Sequence, residues 1–245
     1  MQLHGKATPI LYWMTAISYL IMLPMGDYSW HFLHKATPIL LLFFVLLSNT
    51  LHTRSSAILF ATAALLFSAC GDVLLALTIP NNFVFGLGAF LLAHICYCVV
   101  FWQWRVQPAS VYAFVLRTFT DPKTKWIALA FSTFTLLMAG WIVPKAGELA
   151  VPVTVYMCAI LLMALTATNT STYHTEQPYV AQPKMNLILL GAMLFVISDA
   201  IIAINMFILP VPYQAYLIMT TYYLAQYLLF KGIMQRIKTD MSPLP

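Results

Sequence analysis

The chain has 245 residues, of which 62% are hydrophobic and only 8% charged, with a mean hydropathy of +0.85. A soluble domain carries about 25% charged and about 45–50% apolar residues, so a water-soluble globule is excluded, and so is a disordered chain. The formal net charge of +5 raises the question of a nucleic-acid partner, which the placement of the basic residues answers in the negative below.

At about 20 residues per crossing, the apolar runs predict eight membrane-spanning helices. They fall at 8–25, 34–51, 56–79, 83–104, 126–143, 149–168, 185–209 and 213–234. The first run has a basic start, but its apolar stretch is long and no A-x-A site follows, so it reads as an uncleaved first helix. Breaks stand at Gly26-Asp27, Pro80-Asn81-Asn82, Asp121-Pro122, Pro144-Lys145 and Pro210 with Pro212. The stretch from Thr168 to Gln182 is the most polar and is expected to be a loop. Trp102, Trp104, Trp126 and Trp141 lie at predicted span ends, where amphipathic rings prefer the headgroup level. The expected fold class is therefore an all-α integral membrane protein of eight transmembrane helices, forming one domain over 1–245. Cys70, Cys96, Cys98 and Cys158 all lie in apolar runs and read as small buried hydrophobes rather than a disulfide framework.

With eight spans both termini share one side of the membrane. Lys6, Arg54, Arg105, Arg117, Lys123, Lys125, Lys184, Lys231, Arg236 and Lys238 then fall on that side, and only Lys35 and Lys145 on the other. This asymmetry puts both termini in the cytoplasm. It also accounts for the basic charge without nucleic acid. Short loops and bare termini suggest a bacterial inner membrane.

The third and seventh spans are alike: Phe67-Ser-Ala-Cys-Gly-Asp72 against Phe195-Val-Ile-Ser-Asp199. The following spans carry Ala-His94 and Ala-Gln226, each with a tyrosine three residues away, Tyr97 and Tyr223. Pro38 and Pro152 open the second and sixth spans. These echoes suggest a four-plus-four internal duplication of parallel repeats, with halves at 1–120 and 121–245.

Of the seven acidic residues, Asp27, Asp121, Glu148, Glu176 and Asp240 lie in loops, at a span edge or in the tail. Asp72 and Asp199 lie inside apolar runs. An ionised carboxylate at a helix centre costs about 2.5–3.5 kcal/mol on insertion scales, so each is expected to have a partner or a task. The plainer role is a buried polar network that locks helix packing. His94, Gln226, Tyr97, Tyr223, Tyr156 and Asn186 are further polar groups in spans, and Lys35 sits at a span entry. At a rise of about 1.5 Å per residue, Asp72 and Asp199 are predicted about 10 and about 15 Å from the non-cytoplasmic end, the end that holds Lys35.

Several chemistries are excluded by pattern. There is no H-E-x-x-H, and one deep histidine cannot supply a three-histidine zinc site, so no metal is expected. No G-x-S-x-G elbow occurs, and Ser198 beside Asp199 lacks a histidine arrangement for nucleophilic catalysis. Nine glycines supply no phosphate loop, and no cofactor is expected. What remains is carboxylate acid–base chemistry, in which two carboxyl groups divide into an acid and a base or cation stabiliser.

The motifs Gly71-Asp72, Gly88-x-Phe90-x-x-x-His94-x-x-Tyr97, Gly191-Ala-x-x-Phe195-x-x-Ser198-Asp199 and Tyr223-x-Ala225-Gln226 resemble those of the lysoplasmalogenase (YhhN-type) membrane family. Lys35 with Pro38, and Val153-x-x-Tyr156-Met157, resemble its second and sixth spans, so the likeness covers roughly residues 30 to 230. One departure is Ala36-Thr37 between Lys35 and Pro38, where the family pattern has lysine and proline adjacent. The resemblance implies an eight-helix, metal-independent membrane enzyme. Its substrate would be a lysophospholipid in the bilayer, whose vinyl-ether bond is hydrolysed to a fatty aldehyde and glycerophosphoethanolamine or glycerophosphocholine.

That reaction begins with protonation of the alkene carbon and passes through an oxocarbenium ion. The expected catalytic residues are Asp72 and Asp199, one as general acid and the other ionised to stabilise the cation and activate water, with the deeper Asp199 favoured as acid. His94, Tyr97, Tyr156, Ser198, Tyr223 and Gln226 would position water and the glycerol hydroxyl, and Lys35 would meet the phosphate. The competing reading is a proton-coupled transporter of lipid or small solute, since intramembrane acids also mark proton pathways. No span, however, is broken at its centre by Gly or Pro. A third reading is a lipid-binding protein without turnover.

Overall fold

The computed structural model describes residues 7–26, 28–50, 55–104, 110–122, 124–172 and 186–241. Among them every regular element is helical: α1 (Ala7–Met22), α2 (His31–Thr50), α3 (Ser56–Ala76), α4 (Asn82–Gln103), α5 (Val111–Thr120), α6 (Lys125–Ile142), α7 (Ala150–Thr172), α8 (Leu187–Phe207) and α9 (Gln214–Met241). Seven helices, α1 to α4 and α6 to α8, are long and apolar enough to cross a membrane, and the protein is a multi-pass membrane protein. The eighth long helix, α9, runs 28 residues, and its C-terminal turns carry Lys231, Arg236 and Lys238.

Two departures from the sequence reading concern the ends. Helix α7 runs to Thr172, four residues beyond the predicted span, through Thr168, Asn169 and Thr170. Threonine and asparagine score as loop formers, but here their side chains are satisfied inside the bundle. Thr168 donates to the Ala164 carbonyl, Thr170 to the Phe101 carbonyl on α4, and Asn169 Nδ2 to Thr118 Oγ1 on α5. The second departure is α5 itself, ten residues within the predicted connection between the fourth and fifth spans. Ser110 caps it by accepting from the Ala113 amide. Its buried face holds Phe114 and Thr118, while Val111, Tyr112, Val115 and Leu116 stay exposed, the pattern of a helix lying at an interface.

The long helices are joined by short connections at 23–30, 77–81, 143–149 and 208–213, so successive helices run antiparallel and these connections gather at one end of the bundle. Helices α3 and α4 form one extensive pair, α8 and α9 the other; α2 lies along α3, α4 against α7, and α9 returns to α1 and α2. The result is a ring of helices, with α6 outside it, resting mainly on α7. The order of neighbours in the first four long helices, first on second, second on third, third on fourth, recurs in the last four, which is compatible with the duplication.

Helix packing within a bilayer gains little from apolar burial and relies on close approach of small residues. A Cβ on Gly71 would lie 2.6 Å from the Phe90 ring, and one on Gly191 would lie 2.9 Å from the Leu229 amide nitrogen and 3.0 Å from the Ala225 carbonyl oxygen. Backbone cannot yield as a side chain can. Gly191→Ala therefore loses about 1–3 kcal/mol to overpacking, more than the roughly 1 kcal/mol that alanine gains in helix propensity. Gly88 faces open space, so Gly88→Ala keeps or raises stability. Thermal unfolding of both variants in detergent checks the contrast, which should lower the midpoint for Gly191→Ala alone.

Candidate active site

The site is built by residues that face the inside of the ring from α2, α3, α4, α7, α8 and α9. On α4 the buried face carries Phe90, Ala93, His94 and Tyr97. His94 is 0% exposed, and its Nε2 lies 3.0 Å from the Tyr156 hydroxyl of α7 and 3.4 Å from Asp199 Oδ2 of α8. Tyr156 donates to the same carboxylate oxygen at 2.5 Å. The other imidazole nitrogen, Nδ1, is buried with no hydrogen-bond partner among the described residues. A buried N–H left unpaired costs about 1–3 kcal/mol, so the proton belongs on Nε2. It then donates to the tyrosine oxygen, which in turn donates to Asp199. Three groups from three helices thus form one directional chain ending on a carboxylate.

Asp199 and Tyr156 also face a cavity of about 80 Å³ bounded by α4, α6, α7 and α8, with contributions from Leu75 of α3. Apart from these two groups and Thr135, its lining is apolar, including Leu87, Met138, Ile160 and Val196. The Asp199 side chain is 14% exposed, against 2% for Asp72. Asp199 is therefore the carboxyl group with access to open space.

The second aspartate has different company. Asp72 Oδ1 is 4.0 Å from Lys35 Nζ, and Oδ2 accepts from the Tyr222 hydroxyl at 2.7 Å. Asp72 is four residues from the end of α3, about 6 Å, and Lys35 four residues from the start of α2, so the two meet at one depth. Asp199 is eight residues, about 12 Å, from the end of α8. Both depths are shallower than the sequence reading, because α3 and α8 end sooner than the predicted spans. Pro38 lies inside α2 and supplies no amide to the turn that holds Lys35. The Lys35 carbonyl in that turn accepts from the Tyr223 hydroxyl at 2.8 Å.

Aromatic rings connect the two groups. Phe195 packs edge-on to His94 at 4.7 Å and to Tyr222 at 5.6 Å, while Phe90 packs on Phe195 and Tyr222. Among the described residues no hydrogen bond joins Asp72 to Asp199. They stand in separate polar clusters on an aromatic partition.

Of the other expected residues, Tyr97 donates to Gln226 Oε1 at 2.7 Å, and Gln226 Nε2 donates to Ser68 Oγ at 3.0 Å. This is a closed tie between α3, α4 and α9, and all three members are buried. Ser198 donates to the Ile218 carbonyl at 3.1 Å, which fastens α8 to α9. Tyr222, Ser68, Phe90 and Phe195 escaped the sequence reading as site residues. Tyr222 could have been found, since it precedes Gln226 by one helical turn and shares its face. Asp27 lies outside the described residues.

Residues 30–233 match the YhhN family. The chain is 31% identical to the human protein named lysoplasmalogenase TMEM86A over 224 residues, 87% of this chain and 82% of that one. It is 30% identical to the pig protein named lysoplasmalogenase TMEM86B, over 97% of this chain and 91% of the relative. A Mycobacterium bovis protein named lysoplasmalogenase is 36% identical over 60% of this chain and 49% of its own length. No solved structure matches the chain. The family match encloses the span that carries Lys35, Asp72, His94, Tyr156 and Asp199, and by it the chain belongs to the YhhN family.

Proposed function

We propose that the protein hydrolyses the vinyl-ether bond of lysoplasmalogens, with Asp199 as the acid that begins the reaction. The observation that carries this reading is the Asp199 carboxyl on the wall of an apolar cavity, held by Tyr156 and His94. The names of the relatives point to the same substrate class.

Oδ2 accepts from Tyr156, so the acidic proton of Asp199 sits on Oδ1. That proton passes to the alkene carbon and leaves an oxocarbenium ion beside a new carboxylate, which stabilises it at short range in a medium of low dielectric. The same carboxylate then takes a proton from the water that adds to the cation, as one residue serves in turn as acid and base in glycoside hydrolysis. The hemiacetal collapses when that proton returns to the glycerol oxygen and the C–O bond breaks, while the hemiacetal hydroxyl gives its own proton to the Asp199 carboxylate, so that aldehyde and alcohol leave and the acid is restored. His94 and Tyr156 hold Oδ2 throughout and keep Oδ1 turned to the substrate. Asp72 stays ionised as the partner of Lys35, whose ammonium has three donors and only one carboxylate to serve, so it has hydrogen bonds to offer a phosphate.

The same reading takes the chain as one domain with α9 as the eighth span. The ten-to-two division of Lys and Arg supports termini on the cytoplasmic side, and the short connections support a bacterial inner membrane.

The test is aldehyde release from a lysoplasmalogen by detergent-purified protein. Product without any ion gradient supports the hydrolase over the transporter. Asp199→Asn is expected to lower turnover by about 10²-fold or more, because general acid–base groups contribute about 10²–10⁴-fold, whereas Asp72→Asn, which removes only the carboxylate partner of Lys35, should raise KM more than it lowers kcat. Near-normal turnover of Asp199→Asn overturns the acid assignment. A second expectation concerns stability. Lys35→Met strands the Asp72 charge and should cost about 3–5 kcal/mol, whereas Lys35→Met with Asp72→Asn should recover much of that loss. Thermal unfolding of the two variants measures the difference; equal midpoints would show that the pair contributes nothing.

A further inference from the structure

The apolar interior is packed in two bodies. The main core takes in α1 to α4 and α7 to α9 with Phe131 of α6, and a smaller cluster gathers Met138, Ile142, Ala146 and Val153 with Ala200, Ala203 and Phe207. The cavity beside Asp199 lies on the seam, with Phe90, Ile160 and Val196 from the first body and Met138, Ile142 and Val153 from the second. Ala200 and Ala203, about one turn apart on the lining face of α8, keep it open. At the end nearest the 77–81 and 208–213 connections, Phe83 and Phe207 pack edge-on at 5.9 Å and close it. The outer wall is α6, which rests mainly on α7, touches α8 over a smaller interface, and turns Leu136 and Leu137 outward.

We infer that this cavity binds the hydrocarbon chain of a single-chain phospholipid, which enters sideways from the bilayer past α6. The inference deepens the reading above and rests on it. A polar solute finds one carboxyl, one phenol and one threonine there, too few to replace its hydration shell. Along α8, Asp199 to Phe207 spans about 12 Å, so the cavity runs from the depth of Asp199 back toward the end of the bundle that also holds Lys35. A chain lying in the cavity would run past Asp199 Oδ1, with the headgroup left on the Lys35 side of the aromatic partition. In this arrangement Ala203 limits the bulk and length of the chain that the site accepts.

A non-hydrolysable 1-O-alkyl lysophospholipid with a diazirine at its chain end tests the assignment by photolabelling, because it reports binding without turnover. Labelled peptides should come from α6 and α8, be competed by the unlabelled lipid, and fall about tenfold in Ala203→Phe, the scale on which a filled apolar pocket discriminates. Ala200→Leu is a milder variant should the phenylalanine prevent folding, and the same fall is expected. Met14→Phe, on the exposed face of α1, should leave the labelling unchanged. Labelling confined to the groove along α1 at Pro9, Trp13 and Ile17, or undiminished labelling in both alanine variants, overturns the inference. Specific labelling of α6 and α8 without aldehyde release from lysoplasmalogen upholds the chain site and counts against the hydrolase reading alone. Aldehyde release with labelling elsewhere upholds the hydrolase and removes the chain site.

Discussion

Everything in this bundle answers to the expense of holding a carboxylate in hydrocarbon. Two such groups are present, and each is solved differently. Asp72 is neutralised by a lysine at its own depth and hydrogen-bonded by Tyr222, nearly closed from its surroundings. Asp199 has no described cation beyond a histidine that need not be charged, and its company is a phenol and an imidazole in series. The first carboxyl faces a cation; the second ends a chain of hydrogen bonds from a phenol and an imidazole. The two carboxyl groups differ in their surroundings and are not joined to each other by a hydrogen bond among the described residues.

The helices serve this division. Small residues bring α3 onto α4 and α8 onto α9, which places the two aspartate-bearing helices against different partners. The rings of Phe90, Phe195 and Tyr222 then fill the space between the polar clusters, so that each cluster meets the minimum of competing polar groups. The tie from Tyr97 through Gln226 to Ser68 does ordinary structural work: every polar atom in it has found a mate inside the protein, where water is absent. The smaller apolar cluster, with α6, borders the cavity that Asp199 faces.

Much of this was readable in the chain because hydrocarbon imposes a simple code. Asp72, Asp199, His94 and Lys35 stood out as ionisable residues within or at the edge of apolar runs, and all four lie in the two polar clusters. Tyr156, weak as a lone span tyrosine, gained its meaning only from the three-dimensional pairing with Asp199. Ser198 illustrates the opposite outcome. Its place beside Asp199 in sequence turns it about 100° around the helix, onto the α9 face and a backbone carbonyl.

The sequence by itself determined the membrane class, the long helices and the short list of buried ionisable residues, because hydropathy and the cost of charge act residue by residue. The tertiary structure decided the partnerships: Lys35 with Asp72, His94 and Tyr156 with Asp199, and Tyr97 with Gln226 from opposite halves of the chain. It also decided that α7 continues through a polar stretch, since Asn169 and Thr170 find partners on α5 and α4 and Thr168 bonds back to its own helix. Pairing depends on which helix faces touch, at what depth and at what distance. Apolar helices carry too little pattern around their circumference to specify that locally.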